Sequence, residues 1–450
     1  MQKIYIILKD ITESGGGERV CVNLSNAFSE IGFEVSIISF FRLEKDIAFS
    51  LNENINVRFL SHTTPKSKNP LKKLFNKSIY RYILSKKVDK IAQQEKPDIV
   101  LANDGWYIPK TKVDSIQYIR LWHLNAPKKI DKRKQKIFNL FDTLVVLSSR
   151  ELNKWQSYHK NVKVIPNFLP FISQQNTDSN QHRIISVGRM DRGDQKGFLR
   201  LIDIWEKVQE RIKATYCHTE QSEVSNTESK KDILCLYTQD DKITIQNDSH
   251  KTTLDSKRLS AEAVCDDFKS CEALSARSLL NINDEARKAN SLKRAETATH
   301  KKDLESWQLI IVGSGVLQEQ IESKIKEKNL QDTIILKPFT KDIESEYLNA
   351  SIYAMTSHFE GFGMVLVEAS SYALPCVAFD IAAGPSDIIE SGVSGYLIED
   401  NDLQDYADKL LTLMSDKQKR ESMGLQAKQK VSIAFSKEAV MKLWQEIFNN

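Results

Sequence analysis

Two glutamates flank a Gly-x-Gly turn late in the chain. Glu360 precedes the turn Gly361–Gly363, and Glu368 lies eight positions after Glu360, in an apolar segment that begins at Met364. Glycines let the backbone approach a ligand closely, and a helix that starts after such a turn favours anions through its free N–H groups and its dipole. The arrangement predicts a site for a phosphorylated ligand whose hydroxyl groups the carboxylates can bind. The alternative is an ordinary strand–turn–helix with two surface glutamates.

Two basic residues follow a predicted strand that ends at Val187. Arg189 comes directly after Gly188, and Lys196 precedes Gly197, which opens a predicted helix. In open α/β sheets, ligands bind at the carboxyl edge of the strands. There, arginine offers a planar fork and lysine a point charge to phosphate oxygens. The pair therefore predicts phosphate contacts, and the alternative is a loop with two solvated cations.

A glycine run and a lone histidine lie in the first half of the chain. Gly15–Gly17 comes after the first predicted strand and is followed by Glu18 and Arg19. It lacks the G-x-G-x-x-G spacing, and the acidic residue that a nicotinamide site needs about 20 positions on is not clear, so we expect a glycine loop at a cleft between domains. His123 follows the predicted strand Ile116–Trp122, where it could contact two substrates or serve only a structural role.

Short β-rich apolar runs alternate with helical patterns, which favours parallel sheets covered by helices on both faces. The series restarts at Arg183, so we predict two doubly wound α/β domains, residues 1–170 and 171–430. A final helix in residues 431–450 is expected to pack back on the first domain. The predicted strands are Lys3–Leu8, Glu34–Phe40, Asp98–Ala102, Ile116–Trp122, Thr143–Leu147, Lys163–Ile165, Ile184–Val187, Trp307–Val312, Thr333–Leu336, Ile352–Met355, Cys376–Phe379 and Gly395–Ile398.

One segment interrupts the second series. The residues from Lys213 to Glu305 contain no glycine and no proline, and polar residues dominate them. A compact domain of that length needs turn residues and more apolar side chains. We therefore predict a low-complexity insertion at about 213–305 that is disordered or loosely helical, with a small partner-binding subdomain as the alternative.

Composition sets limits on partners and location. The formal net charge is +4 (64 basic and 60 acidic residues), which is too small to indicate a nucleic-acid partner. None of the six cysteines has a spacing that suits zinc. The N-terminus lacks a signal-peptide pattern, and no apolar run reaches the ~18 residues that span a bilayer. We expect a cytoplasmic protein, soluble or peripheral on the inner face of the cytoplasmic membrane.

Basic residues concentrate in the first third of the chain. Pro70–Ile91 is predicted to be an amphipathic helix with lysines between its apolar positions, and a second basic run covers residues 128–136. Such helices often lie on anionic membrane surfaces, and the alternative is a core-packing helix with a solvated basic face. The apolar positions are Leu71, Leu74, Phe75, Ile79, Ile83, Val88 and Ile91.

Taken together, these motifs resemble the family 4 glycosyltransferases, which have the GT-B fold of two Rossmann-like domains facing a cleft. The matching segments cover about 1–212 and 306–450. Glu360 to Glu368 is similar to the family's E-x7-E motif. The other matching segments are the phosphate-binding pair Gly188-Arg189 and Lys196-Gly197, the glycine loop Gly15–Arg19, the acceptor-side His123, the IPN segment Val164–Asn167, and the later landmarks Gly384–Ile389 and Ser391–Leu397.

The resemblance implies retaining transfer of a sugar from a nucleotide-sugar, with a UDP-sugar expected and with no metal or other cofactor. Lipopolysaccharide, capsule or a lipid-linked oligosaccharide is the expected acceptor, and contact with an anionic membrane is expected. His123 and Glu360 would be the catalytic residues. The donor would be bound by Gly16, Gly17, Arg189, Lys196, Gly361, Phe362, Gly363, Met364, Val365 and Glu368.

Other functions remain open at this point. A sugar-nucleotide epimerase would share the fold but would turn over its donor without an acceptor. A phosphorylase would need a lysine for pyridoxal phosphate, and no lysine context indicates one. A degenerate sugar-nucleotide-binding protein is the non-enzymatic alternative, although the motif residues on both sides of the insertion are intact.

Overall fold

The structure is a computed structural model that describes residues 1–64, 70–127, 129–214, 242–247, 250–255 and 302–449. The chain divides into two compact units. The first comprises Met1–Ile204 and Gln308–Asn450, and the second comprises Trp205–Trp307. Every predicted site residue lies in the first unit.

The strands of the described residues are between three and eight residues long. Most are apolar, because they are covered on both faces. In chain order they are β1 (Lys3–Asp10), β2 (Glu34–Phe41), β3 (Asn56–Ser61), β4 (Ile99–Ala102), β5 (Gln117–Trp122), β6 (Thr143–Val146), β7 (Val162–Val164), β8 (Arg183–Val187), β9 (Lys242–Asn247), β10 (His250–Asp255), β11 (Gln308–Val312), β12 (Ile334–Lys337), β13 (Ile352–Met355), β14 (Cys376–Phe379) and β15 (Gly395–Ile398).

The helices alternate with these strands. Several begin at an aspartate or serine whose side chain accepts a hydrogen bond from the first turn, as at Asp402 and Ser436. They are α1 (Gly16–Glu30), α2 (Pro70–Glu95), α3 (Lys132–Phe138), α4 (Leu152–Gln156), α5 (residues 198–214), α6 (residues 302–305), α7 (Gln318–Glu327), α8 (Ile343–Leu348), α9 (Met364–Ser371), α10 (Pro385–Ile388), α11 (Leu403–Ser415), α12 (Lys417–Ala434) and α13 (Lys437–Phe448).

Two parallel sheets organise the first unit. Their strand orders are β3-β2-β1-β4-β5-β6-β7 and β12-β11-β8-β13-β14-β15. In each sheet the first strand of the series is interior and the order reverses beside it, at β1/β4 in one sheet and β8/β13 in the other. Ligands of open α/β sheets bind at the carboxyl ends of the strands beside such a reversal. The topology therefore marks one candidate ligand edge in each sheet.

The α/β fold with two Rossmann-like sheets is confirmed. The predicted strands agree with the observed ones to within two residues at each end. The sequence analysis missed β3, an edge strand whose residues are only half-buried or exposed and therefore lack a continuous apolar run. The domain boundaries at residues 170 and 430 stay predictions.

The helix α2 differs from the predicted amphipathic helix in its length and in its buried face. It extends to Glu95, and its buried residues Leu84, Val88 and Ala92 join the core of the first sheet. Ile79 and Ile83, predicted on the same apolar face as Val88, are 40% and 47% exposed. Part of the predicted basic and apolar pattern, at residues 65–69 and 128 and at the side chains of Leu71, Leu74 and Phe75, lies outside what the structure describes.

The second unit coincides largely with the predicted insertion. Its described parts include an antiparallel pair in which β9 runs against β10, from Lys242↔Asp255 to Asn247↔His250. The sequence analysis predicted no strand there, because the whole segment was judged by its polar composition and its lack of glycine and proline. The rest of the insertion at 213–305, apart from the helical ends at 213–214 and 302–305, lies outside the described residues.

The C-terminal helix α13 packs against α1 of the first sheet's domain. Phe28 of α1 meets Trp444 and Phe448 edge to face, with ring centroids 5.6 and 5.3 Å apart. Lys437 pairs with Glu30 at 2.7 Å. Buried aromatic contacts of this kind hold the two ends of the chain together.

In the part of the chain that the structure describes, no helix combines the length and the apolar character that crossing a bilayer requires.

Candidate active site

Both strand-order reversals are lined by predicted site residues. On the first sheet, Gly16 and Gly17 follow β1, and His123 follows β5 one strand further along. On the second sheet, Arg189 and Lys196 follow β8. The turn that begins after β13 and the helix α9 supply the remaining predicted residues. The predicted site residues thus lie at the carboxyl edges of two separate sheets, and their roles stay predictions.

On the first-domain side, a buried amide connects the glycines to the histidine. The Nδ2 of Asn103 donates to the carbonyl of Gly17 at 3.0 Å, and its Oδ1 lies 3.2 Å from Nε2 of His123. The contact with Gly17 fixes which end of the amide is the oxygen. Oδ1 therefore accepts a hydrogen bond from the His123 tautomer that is protonated on Nε2. Asn103 follows β4 and is 2% exposed.

His123 is held in its neutral form. Burial lowers the pKa of His123 to about 4, and the positive charge of Arg120 acts in the same direction against the opposing effect of Asn103. A neutral imidazole at physiological pH can donate or accept a hydrogen bond but brings no positive charge. His123 is therefore suited to binding a hydroxyl group and unsuited to neutralising a phosphate.

The glycine run belongs to a helix rather than to the loop that the sequence predicted. Gly15 is the N-cap residue of α1, and Gly16 and Gly17 are its first two residues. A Cβ on either Gly16 or Gly17 would meet no atom within 4 Å, and neither residue has a positive φ. The protein itself therefore does not require glycine there, and the open space lets a ligand approach the backbone.

On the second-domain side, a charged pair occupies the centre of the site. Nζ of Lys196 lies 2.6 Å from Oε1 of Glu360, and the side chains are only 20% and 9% exposed. The hydroxyl of Ser357 donates to the same Oε1 at 2.7 Å. The second carboxylate oxygen of Glu360 is not used by either contact, so it is available to a ligand.

Arg200 supports this pair from behind. Its guanidinium donates to the carbonyls of Thr356 and Ser357 at 2.6 and 2.5 Å, and to Asp400 at 2.7 Å. The group stacks 4.1 Å from the centroid of the Phe379 ring. Because Arg200 is buried and fully bonded, it fixes the backbone that leads into Glu360.

The glycine turn brings the two domains into contact. A Cβ on Gly361 would overlap the carbonyl oxygen of His123, so only glycine permits this close approach. Gly363 is the N-cap residue of α9 and has the left-handed φ of +91°, which favours glycine. Phe362 between them is buried, and its ring meets Phe435 at 5.4 Å.

The helix α9 begins directly after the glycine turn. Met364 and Val365 are its first two residues and are half-buried. The first N–H groups of a helix have no partner within the helix, and the helix dipole adds partial positive charge at the same end. The predicted donor-binding role of these residues requires this geometry.

Glu368 joins the two domains one turn further along. Its Oε1 lies 2.8 Å from Nη1 of Arg19, on α1 of the first domain, and its Oε2 accepts from the hydroxyl of Tyr347 at 3.4 Å. Arg19 is 47% exposed, whereas Glu368 is 14% exposed. Burial, reinforced by the charge of Glu368, raises the pKa of Tyr347 well above its usual value, so its hydroxyl remains a donor.

Arg189 is the predicted residue that the others do not contact. Its Nε lies 3.3 Å from Oδ2 of Asp191, and its side chain is 73% exposed. A long exposed side chain can change rotamer at little cost. Arg189 follows the same strand as Lys196 but is not part of the Lys196–Glu360 pair.

A second set of contacts between the domains lies beside the first. Ser148 donates to Oδ2 of Asp387 at 2.5 Å, and the hydroxyl of Ser149 donates to Oδ1 at 2.7 Å. Arg150 pairs with Asp380 and also donates to the carbonyl of Ile381 at 3.2 Å. These contacts hold the loops after β6 and β14 together.

Sequence reasoning missed several residues that position the site. Asn103 and Ser357 are short polar residues within two residues of the ends of the buried strands β4 and β13, a position that could have identified them. Arg200 and Tyr347 lie in helices, where no local pattern distinguishes them from solvated residues. Arg19 was noted only as the end of the glycine motif.

Among the described residues, no group of three or more His, Cys, Asp or Glu side chains is placed to hold a metal ion. Transfer without a metal stays a prediction.

Comparison with known proteins identifies the two halves of the chain separately. Residues 14–170 match the family described as Glycosyltransferase Family 4. Residues 285–430 match the family described as Glycosyl transferases group 1. The two matches include the predicted glycine motif and His123 in one case, and both glutamates in the other.

Individual relatives agree with these matches. The amylovoran biosynthesis glycosyltransferase AmsD of Erwinia amylovora is 24% identical over 461 residues, which cover 100% of this chain and 100% of that protein. The lipopolysaccharide 1,6-galactosyltransferase of Escherichia coli K12 is 32% identical over 102 residues, which cover 22% of this chain and 28% of that protein.

A solved structure shows the same fold over the full length. It is a mutant of TarM from S. aureus in complex with fondaparinux, alpha-GlcNAc-glycerol and UDP, with a TM-score of 0.63, 15% identity and coverage of 100% of both chains. This similarity and the two family matches agree with the two parallel sheets described above. The chain belongs to the family 4 glycosyltransferases of the group 1 class, and it has the GT-B fold.

Proposed function

We propose that this glycosyltransferase moves a hexose, with retention of configuration, from a UDP-sugar to a bacterial envelope glycan. The observation that carries the proposal is the Lys196–Glu360 pair, which lies beside the contact between Gly361 and His123. In this proposal Lys196 is the cation for phosphate, Glu360 is the carboxylate for sugar hydroxyls, and His123 of the facing domain supplies a neutral imidazole. UDP is favoured because the TarM complex of the same fold contains it.

The leaving diphosphate would be stabilised by the second domain. Lys196 supplies a fixed positive charge, and the N–H groups of Met364 and Val365 supply donors at the start of α9. Arg189 would leave Asp191 and turn toward the phosphates. Groups that are already oriented toward developing charge lower the barrier without reorganisation, which makes a metal ion unnecessary in this proposal.

The two glutamates would bind different parts of the donor. Glu360 has one oxygen beyond its contacts with Lys196 and Ser357, and this oxygen would accept a hydrogen bond from a sugar hydroxyl. Glu368 would accept from the ribose hydroxyls, in exchange for or beside its contact with Arg19. Both carboxylates also favour the positive charge that develops on the sugar ring as the bond to the diphosphate breaks.

The first domain would position the acceptor. Neutral His123 can bind a hydroxyl of the transferred sugar or of the acceptor. In a front-face reaction the acceptor oxygen attacks from the side that the diphosphate leaves, and a phosphate oxygen takes the acceptor's proton. Contact between the domains at Gly361 would exclude water and limit hydrolysis of the donor.

The acceptor is proposed to be lipopolysaccharide, a capsule or a lipid-linked oligosaccharide. The names of AmsD and of the galactosyltransferase relative support a bacterial glycan. The exposed Ile79 and Ile83 on the lysine-rich helix α2 support work at the inner face of the membrane. No nucleic acid is expected as a partner.

Calorimetric titration with UDP, GDP, ADP and CMP tests the donor class. We expect UDP to bind the wild type and to lose affinity in Glu368→Gln and in Lys196→Met. Proton NMR of the glycoside formed from the UDP-sugar on an envelope-glycan acceptor then reports its anomeric configuration. Retention is expected, and inversion would overturn the proposed mechanism.

An epimerase is distinguished by turnover without an acceptor. If NMR shows conversion of the UDP-sugar into its epimer, with no release of UDP, the transferase proposal is wrong. Binding of UDP with neither transfer nor hydrolysis would indicate the degenerate binding protein.

A further inference from the structure

A basic cavity lies on the first domain outside the site described above. It has a volume of about 550 Å³, and the cations that line it are Arg81 of α2, Lys110, and Lys132, Arg133 and Lys136 of α3. Its apolar lining consists of Ile108, Ile137 and Leu140. Of the described residues, none that lines this basic cavity is acidic.

Among the described residues, the positive charge of the basic cavity is balanced only in part. In the described part of the chain, none of the five cations has a carboxylate within ion-pairing distance. The buried carboxylate of Asp89 is nearby, but it already accepts from the Tyr107 hydroxyl and from the backbone N–H groups of Lys110 and Thr111, at 2.8, 2.8 and 3.0 Å. Its single negative charge acts on Lys110, but one carboxylate against five cations leaves an excess of positive charge that attracts a multiply charged anion.

The pKa values of two of these cations are lowered in part by repulsion from a neighbouring cation. Burial, together with the charge of Arg133, lowers the pKa of Arg81. Burial, together with the charge of Arg81, lowers the pKa of Lys110. A bound phosphate would offset the repulsion between these cations and raise both pKa values, because it would pair with them.

The surface beside the basic cavity is apolar. Tyr82 and Ile83, next to Arg81 on α2, are each 47% exposed, and Ile79 one turn earlier is 40% exposed. Nζ of Lys110 lies 5.5 Å from the centroid of the Tyr82 ring, which joins this surface to the cavity. Exposed apolar and aromatic residues beside cations are typical of a surface that contacts lipid.

We propose that the basic cavity binds a terminal phosphate monoester of a lipid, and that the same lipid bears the acceptor sugar at a different position. The role as acceptor rests on the proposed transferase function, whereas the binding of a lipid phosphate does not. A terminal phosphate has up to two negative charges and three exposed oxygens, which several converging cations can contact at once. A phosphodiester headgroup has one charge and is less accessible.

Vesicle binding tests this difference. Vesicles of phosphatidylcholine are doped with either phosphatidic acid, which has a terminal phosphate, or phosphatidylglycerol, which has a phosphodiester, at matched surface charge. The wild type is expected to prefer phosphatidic acid. The cavity variant Arg133→Gln/Lys136→Gln is expected to lose the preference, with binding to phosphatidic acid about tenfold weaker.

The control variant has the same change in charge outside the basic cavity. Lys87 and Lys90 are exposed on α2 and do not line the cavity. Lys87→Gln/Lys90→Gln should weaken binding to both kinds of vesicle by the same factor and keep the preference. Equal binding of both lipids by the wild type, or an unchanged preference in the cavity variant, would overturn the proposal.

Inorganic pyrophosphate separates a lipid ligand from a soluble one. We expect it to compete with phosphatidic acid vesicles only weakly, because it lacks the apolar part. Tight binding of pyrophosphate by the wild type that is lost in the cavity variant, without any vesicle preference, would assign the cavity to a soluble anion and refute the lipid. Titration with UDP in the same variants should be unchanged, so failure of this proposal and failure of the donor site can be told apart.

Discussion

On the first-domain side of the candidate site, His123 and Asn103 are neutral, and Asn103 connects His123 to the backbone of Gly17. On the second-domain side, Lys196 and Glu360 form a charged pair that Arg200 supports from behind. The charged half is complete within its own domain. The neutral half is open, and space remains above its glycines.

This difference distinguishes residues that the fold itself requires from residues that only a ligand requires. Lys196 and Glu360 satisfy each other, so changing either should affect stability as well as activity. Gly16 and Gly17 satisfy no requirement of the protein's own packing, so changing them should affect only what binds there. Stability and activity measured together therefore distinguish the two halves.

The largest effect is expected from Lys196→Met. The substitution leaves the Glu360 carboxylate buried with only Ser357 as its partner. We expect a loss of about 3 kcal/mol in the free energy of unfolding and a decrease of about 100- to 1000-fold in kcat. Urea unfolding and transfer of label from UDP-sugar measure the two quantities.

Arg189→Met is the matched control for this prediction. Arg189 is exposed and outside the pair, so its removal should change the free energy of unfolding by less than about 0.5 kcal/mol while it still slows transfer. Equal destabilisation by the two substitutions would show that the charged half is not held by the Lys196–Glu360 contact.

The neutral half is expected to respond to pH. His123 has a pKa lowered to about 4 in the folded protein, against about 6.5 in the unfolded chain. Between these values the unfolded chain binds a proton that the folded protein does not, so stability is complete above pH 6.5 and falls as the pH decreases toward 4. We expect the free energy of unfolding of the wild type to fall by about 2–3 kcal/mol over this pH range. His123→Gln should not show this loss.

Unfolding of both proteins from pH 7 to pH 4 measures this difference. If the free energy of unfolding depends on pH in the same way in both proteins, then folding does not lower the pKa of His123.

Smaller effects on stability, opposite in sign, are expected from alanine substitutions at Gly17 and Gly361. Gly17→Ala should raise the free energy of unfolding by about 0.5–1 kcal/mol, because alanine favours a helix and meets open space, yet affinity for UDP should fall. Gly361→Ala should lower stability, because its Cβ would overlap the His123 carbonyl. Thermal unfolding and UDP titration of both variants test the contrast, and unchanged UDP affinity in Gly17→Ala would place the donor elsewhere.

The smallest effect is expected from Arg19→Ala. The pair with Glu368 links the domains, but Arg19 is 47% exposed, so its loss should cost less than about 1 kcal/mol. The free energy of unfolding should depend less on salt concentration in the variant than in the wild type. A loss of several kcal/mol would mean that this pair, rather than the contacts at Gly361 and Asp387, holds the domains together.

Much of the fold and of the second half of the site follows from sequence. Continuous apolar strands gave correct positions for twelve strands because parallel sheets are buried on both faces. Glu360, Lys196 and Glu368 could be chosen because charged residues after strands and glycine turns stand out against that pattern.

What could not be predicted depends on contacts between distant parts of the chain. β3 is an edge strand and lacks the apolar run that identifies the others. The pairing of Lys196 with Glu360, 164 residues apart, has no local signal. Nor does the sequence reveal that Gly16 and Gly17 begin a helix, because glycine is a poor helix former.

Hydrogen–deuterium exchange with and without UDP tests most directly whether the two halves form one donor site. We predict that UDP slows exchange in two segments at once, residues 14–19 of the first domain and residues 360–368 of the second. The protection should be lost in Lys196→Met. Protection of neither segment, or of one alone, would contradict a nucleotide-sugar bound between the glycines of α1 and the start of α9.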